Sequence, residues 1–181
     1  MILTGSEIKR AVYDGDIIIE PFSHAQVGPN SYDFRLGNRC KTYVGEQLDC
    51  AIENRTRAVP FGEQGLLLRP DKVYLFNTHE KMGSQRFVPI IRGRSSAGRL
   101  GIFINITADL IDIGSINQWT LQLHVVEPVT VYPGMLIGQV TFWVPQGEIV
   151  LYTGKYGSLL SPVASLSHRD FTNGTHRNAC H

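Results

Sequence analysis

Short runs rich in Val, Ile, Phe, Tyr and Thr recur along this chain with almost no helical period between them, and that rhythm limits the fold more than any other feature. The runs are Ile17 to Ile19, Val73 to Thr78, Phe87 to Ile91, Ile102 to Ala108, Trp119 to Val126, Val129 to Tyr132, Met135 to Val144 and Ile149 to Tyr152. Each is bounded by Gly, Pro, Asn or Asp. β-branched and aromatic side chains suit a pleated, half-buried surface, whereas parallel strands need a crossover helix between them. The pattern therefore predicts a mainly β chain with a closed or double-layered antiparallel fold of the jelly-roll-like barrel kind. Trp119 to Val126 alternates most cleanly: Trp119, Leu121, Leu123 and Val125 point one way, so Gln122 is expected to face the other. Thr4 and Glu7 have capping-box spacing ahead of Ile8, Ala11 and Val12, with Gly15 placed to stop the turn, which predicts one short N-terminal helix. Val44 to Gly65 is the least patterned stretch and is expected to be loop with irregular strand.

At 181 residues, with no linker-like run, a single domain spanning 1–181 is expected, with 166–181 as a solvated tail. A formal charge of +1 gives no global basic field, so nucleic acid and anionic membranes are not expected partners, and any anion site must be local. No stretch approaches the roughly 20 apolar residues of a membrane helix, and the amino terminus lacks a signal-peptide pattern; a cytoplasmic protein is expected. Cys40, Cys50 and Cys180 have no metal-like spacing and are expected to be reduced. His168, His176 and His181 sit among Asn, Thr, Gly and Arg, a composition expected of a solvated end rather than a metal site.

Two segments carry chemistry. In RGRSSAGRL, from Arg92 to Leu100, three arginines concentrate positive charge, Ser95 and Ser96 add hydroxyl donors, and Gly93 and Gly98 allow a ligand close to the backbone. That set suits a polyphosphate as well as it suits an exposed basic turn. It is no Walker loop, since the Lys required before the Ser or Thr is missing. In INITADLIDIG, from Ile104 to Gly114, Asp109 and Asp112 follow an apolar strand, where a carboxylate either caps a turn or orients a water.

Along nearly its whole length the chain resembles the dCTP deaminase and dUTPase superfamily. VGPNSYDFRLG (Val27 to Gly37) is similar to the family's amino-terminal motif, GRSSAGRLG (Gly93 to Gly101) to its phosphate motif, and TADLIDIG (Thr107 to Gly114) to its nucleoside and water-positioning motif. YPGMLIGQVTF (Tyr132 to Phe142) is similar to its glycine and glutamine motif, and GKY (Gly154 to Tyr156) to the start of its closing carboxy-terminal segment. The resemblance implies a distorted jelly-roll-like β-barrel of the dUTPase type, and a pyrimidine deoxynucleoside triphosphate as ligand. It implies triphosphate contacts from Arg94, Ser95, Ser96 and Arg99, sugar and base contacts from Ala108 and Asp112, a substrate-binding role for Gln139, and closure by Lys155 and Tyr156. Asp112 would also hold the attacking water, and Asp33 would support the site from behind. A homotrimer with interfacial active sites and Mg²⁺ held mainly through the phosphates are implied as well.

The base end departs from the pattern. Where deaminases of this kind resemble one another in a catalytic glutamate, this chain has Gln122, and a carboxamide cannot take up and return a proton near neutral pH. Asp109 stands where many have histidine and is the candidate replacement acid. Leu159 and Leu160 replace glutamines of the closing segment, and Ser115 and Ile116 stand where an aromatic residue often lies. Zinc chemistry needs HxE with a later PCxxC, and neither occurs. Diphosphate release needs mainly positioning and charge neutralisation. The expectation drawn from the residues is thus a dUTPase-type diphosphatase; the alternatives are a dCTP deaminase with a modified active site and a dNTP-binding protein without turnover.

Overall fold

The computed structural model describes residues 1–157 and 160–172. Cys180, His176, His181 and Leu159 lie outside the described residues. Helix α1 is Gly5–Tyr13. The strands are β1 (Ile17–Glu20), β2 (Tyr32–Tyr43), β3 (Thr56–Val59), β4 (Leu66–Leu68), β5 (Tyr74–Thr78), β6 (Lys81–Ser84), β7 (Val88–Gly93), β8 (Ile102–Phe103), β9 (Thr120–Val125), β10 (Val129–Val131) and β11 (Leu136–Trp143). Helices α2 (Ser95–Arg99) and α3 (His168–Thr172) complete the described elements.

A seven-stranded antiparallel, barrel-like sheet runs β7-β11-β2-β5-β9-β8, with β3 added to β2. Two further antiparallel pairs, β1-β6 and β10-β4, flank it. The mainly β, barrel-like expectation holds. β9 shows the anticipated alternation, with Leu121, Leu123 and Val125 fully buried and Thr120, Gln122 and His124 on the opposite row.

Several elements differ from the sequence reading. The longest strand, β2, escaped it because a bulge between Leu36 and Cys40 breaks the two-residue period in the middle of the strand. Helices number three among the described residues, not one. The basic segment turns helical at Ser95, and the expected tail forms α3 from His168. Ile102 to Ala108 is strand only over its first two residues, and Ile149 to Tyr152 is not a strand. Gly15 does adopt the left-handed φ of 80° that ends α1, but Thr4 makes no side-chain cap and bonds Ser6 Oγ instead, at 3.1 Å.

The core gathers Ile8, Tyr32, Phe34, Leu36, Phe76, Met82, Leu121, Ile137 and Phe142. Burial pushes the Cys40 thiol up to about 12, so it stays neutral and unreactive, whereas Cys50 is exposed. Gly138 is required by close approach: a Cβ there would meet Phe34 Cζ at 2.2 Å and Ile104 Cδ1 at 2.8 Å. Overpacking of this kind costs roughly 1–3 kcal/mol. Gly138→Ala is expected to lower the denaturation midpoint in urea accordingly with an unchanged m-value; an unchanged midpoint would show that the sheet relaxes freely at this crossing.

Candidate functional site

β7, β11 and β2 lie side by side, and this order joins residues far apart in sequence. Gln139 on β11 sits opposite Arg92 on β7 and Asp33 on β2. Its Nε2 donates to Asp33 Oδ1 at 2.8 Å and to Ser31 Oγ at 3.3 Å. Asp33 Oδ2 in turn lies 3.1 Å from Arg94 Nε, with both side chains partly buried. Arg94 leaves the end of β7 with its backbone N–H bonded to the Ile137 carbonyl at 3.1 Å. Ser95, Ser96 and Arg99 follow on α2 with exposed side chains. The segment thus holds one arginine fixed from behind and three exposed polar side chains beside it.

A cavity of about 370 Å³ opens on the more polar row of β9. Gln122 and Thr120 form part of its wall, with Ala108, Asp112, Ser115 and Asn117 from the loop before β9. Tyr43 at the end of β2 and Tyr152 and Tyr156 add aromatic surface. Among its lining residues Asp112 is the single carboxylate. Gln122 Nε2 donates to the Thr120 carbonyl at 2.8 Å. A carbonyl can only accept, so the amide orientation is fixed and Oε1 is left as an acceptor on a cavity-lining side chain.

The chain from Val163 to Ser165 closes the cavity wall. It is tied to the site by its own backbone: Val163 N donates to Thr120 Oγ1 at 3.2 Å, Ser165 N to Tyr43 Oη at 3.0 Å, and Leu166 N to Tyr156 Oη at 2.9 Å. Lys155 Nζ pairs with Asp170 of α3, and the Leu160 carbonyl accepts from Arg39 Nη1 at 3.0 Å.

Of the residues picked out in sequence, the cavity therefore brings together Ala108, Asp112, Gln122 and Tyr156. Arg94, Ser95, Ser96 and Arg99 lie outside its lining, as do Gln139 and Lys155. Asp109, the candidate replacement acid, faces Arg92 at 3.6 Å, accepts from Ile91 N through its backbone carbonyl, and is not among the cavity-lining residues. Leu160 points its side chain outward, 62% exposed. Sequence reasoning missed Tyr43, Asn117, Thr120 and Val163 to Ser165. The polar row of β9 was the available signal for Thr120; nothing local marks Tyr43, which reaches the site only through the strand order.

Comparison with known proteins places these features in a family. The profile of the family described as dCTP deaminase-like matches residues 2–144. A protein of Hathewaya histolytica named "dCTP deaminase, dUMP-forming" is 44% identical over 172 residues, covering 94% of this chain and 99% of that protein. One of the same name from Clostridium botulinum (strain Eklund 17B / Type B) is 43% identical with the same coverage. The crystal structure of 2'-deoxycytidine 5'-triphosphate deaminase from Agrobacterium tumefaciens superposes with a TM-score of 0.62 at 24% identity, over 80% of this chain and 48% of that one, a likeness of fold. The expectation of a dUTPase-type diphosphatase is overturned by these relatives, which are named as deaminases. It rested on Gln122 and the other departures at the base end, read beside an intact basic segment.

The carboxy-terminal strap depends on two phenol oxygens accepting backbone N–H groups. Replacing both, Tyr43→Phe with Tyr156→Phe, is expected to raise amide exchange across residues 163–166 by roughly thirtyfold, the equivalent of losing about 1 kcal/mol for each of the two bonds. Unchanged exchange there would mean that the strap is held by its apolar contacts alone.

Proposed function

Since the chain belongs to the dCTP deaminase-like family, we propose that it removes the amino group of dCTP by hydrolysis and yields dUMP, the product in its relatives' name. Overall, dCTP and two waters give dUMP, ammonia and diphosphate. The observation that carries the reading is the cavity, with Asp112 and the oriented Gln122 amide both in its lining. The Gln122 Oε1 accepts a hydrogen bond, which suits the amino group of cytosine and not the carbonyl oxygen of uracil in the same place.

Water adds to the ring carbon bearing the amino group, and a proton must pass from that water to the departing nitrogen. Asp112 is the cavity carboxylate that takes and returns it, while Gln122 holds the amino group and orients the ring. Apolar neighbours, among them Leu75, Ile91 and Trp119, limit the water that competes for these bonds. Arg94, Arg99, Ser95 and Ser96 bind the triphosphate through charge-assisted and hydroxyl bonds. Gln139 acts from behind through Asp33, and Lys155 and Tyr156 hold the strap over the nucleoside.

Asp33 is already engaged by Arg94 and Gln139. A Mg²⁺ would be held mainly through the phosphates beside Arg94, Ser95, Ser96 and Arg99, and would supply neutralisation of phosphate charge there. Because the cavity lining and the α2 cluster are separate within one chain, a homotrimer in which neighbouring subunits supply the two halves is part of the proposal. Exposed Leu100, Phe103 and Ile106 beside α2 supply the apolar area such an interface needs.

Purified protein incubated with dCTP and Mg²⁺ is expected to release ammonia with dUMP as the nucleotide product. Asp112→Asn is expected to cut ammonia release about 10²- to 10⁴-fold. Gln122→Glu, which restores a proton-accepting group in the same cavity, is expected to recover part of that loss in the Asp112→Asn background. Absence of ammonia from the unaltered protein overturns the deaminase reading; unaltered release from Asp112→Asn overturns the role of that residue.

A further inference from the structure

We infer that Asp33 is a positioning residue for polyphosphate binding: it fixes Arg94 by its Nε so that both Nη groups face the ligand. The inference deepens the proposed function and rests on its triphosphate assignment.

A guanidinium binds phosphate best when its planar fork is held before the ligand arrives, since a free arginine loses rotamer freedom on binding. Here Asp33 Oδ2 lies 3.1 Å from Nε, the one guanidinium nitrogen that is not at the tip of the fork. Asp33 Oδ1 is simultaneously held by Gln139 Nε2 at 2.8 Å, so the carboxylate cannot rotate to follow the arginine. The Asp33 backbone is anchored too: its carbonyl accepts from Gln26 Nε2 at 2.6 Å, and that amide also reaches Glu80 Oε1 at 3.2 Å. Glu80 is fully buried and bonds both the backbone N–H and the Nε of Arg35, two residues along the same strand. Three strands thus converge on one guanidinium.

The electrostatic sign makes the idea sharp. A carboxylate behind the arginine places negative charge near an anionic ligand, which by itself weakens binding. Asp33 aids the site only if the gain in orientation exceeds that repulsion, so its removal has opposite consequences under the two accounts.

Calorimetric titration of the whole protein with inorganic tripolyphosphate, dCTP and deoxycytidine separates them. Asp33→Ala is expected to weaken tripolyphosphate and dCTP about tenfold, in line with loss of one charge-assisted bond, and to leave deoxycytidine affinity unchanged. Asp33→Asn, which keeps the shape and an acceptor, is expected to lose about threefold and to remain folded should the alanine variant fail. In an Arg94→Ala background neither Asp33 substitution should weaken tripolyphosphate further, and a small gain from the relieved repulsion is expected, the signature of action through that arginine. Tighter or unchanged tripolyphosphate binding in the Asp33 single variants overturns the inference, as does an equal loss for deoxycytidine or full additivity with Arg94→Ala. Wild-type protein that binds tripolyphosphate but not dCTP overturns the substrate assignment alone, leaving the role of Asp33 to be read from the tripolyphosphate series.

Discussion

The Glu80 carboxylate is the point on which the architecture turns. It is fully buried, and its oxygens accept from Arg35 N, Arg35 Nε and Gln26 Nε2 at 2.9, 2.7 and 3.2 Å. Next to it, Thr78 Oγ1 donates to the Glu80 carbonyl at 2.7 Å and accepts from Trp119 N at 3.0 Å. One polar seam therefore locks β2, the corner after β5, and the residue just before β9. Removing one partner from a buried ion pair typically costs about 3–5 kcal/mol, because the other charge stays behind unpaired. The seam's value here is register: β2 carries Asp33 and β9 carries Gln122, and a slip of one residue in either strand would turn those side chains to the wrong face.

From that seam the two halves of the site diverge. Through β2 and β11 it supports the Asp33, Gln139 and Arg94 row; through Trp119 it supports the cavity wall at Thr120 and Gln122. The halves differ in character as their tasks do. Under the proposed function, phosphate recognition falls to charge at an exposed edge, and base recognition to a recess in which aromatic and aliphatic surface surrounds a few oriented polar groups. Closure of the recess comes from later in the chain, through backbone N–H groups of residues 163–166 bonded to side-chain oxygens of Thr120, Tyr43 and Tyr156.

Gln122 shows how a single residue can mislead when it is read alone. A carboxamide at that position argues against proton transfer by that side chain. It does not follow that the whole enzyme changed reaction, because the cavity lined by Gln122 is also lined by Asp112, and strand alternation cannot show that two segments share a cavity. Asp109 is the converse case. Its composition and location suggested a spare acid, yet the bridge between Ile90 and Leu110 lays that stretch against β7 and turns Asp109 toward Arg92.

By itself the sequence determined the β-rich character, the polar and apolar faces of β9, the short first helix, and the residue types of segments 92–100 and 104–114. These depend on periodicity and on side-chain chemistry, both of which are local. The tertiary structure alone decided the bulged twelve-residue β2, the helical turn within the basic segment, and the grip of Asp33 and Gln139 on Arg94. It also decided that Tyr43 and Ser165, which lie far apart in the chain, share one wall. Those features arise from which strands lie side by side, and strand order is set by the joint packing of the core, a sum over the whole chain that no short window of residues contains.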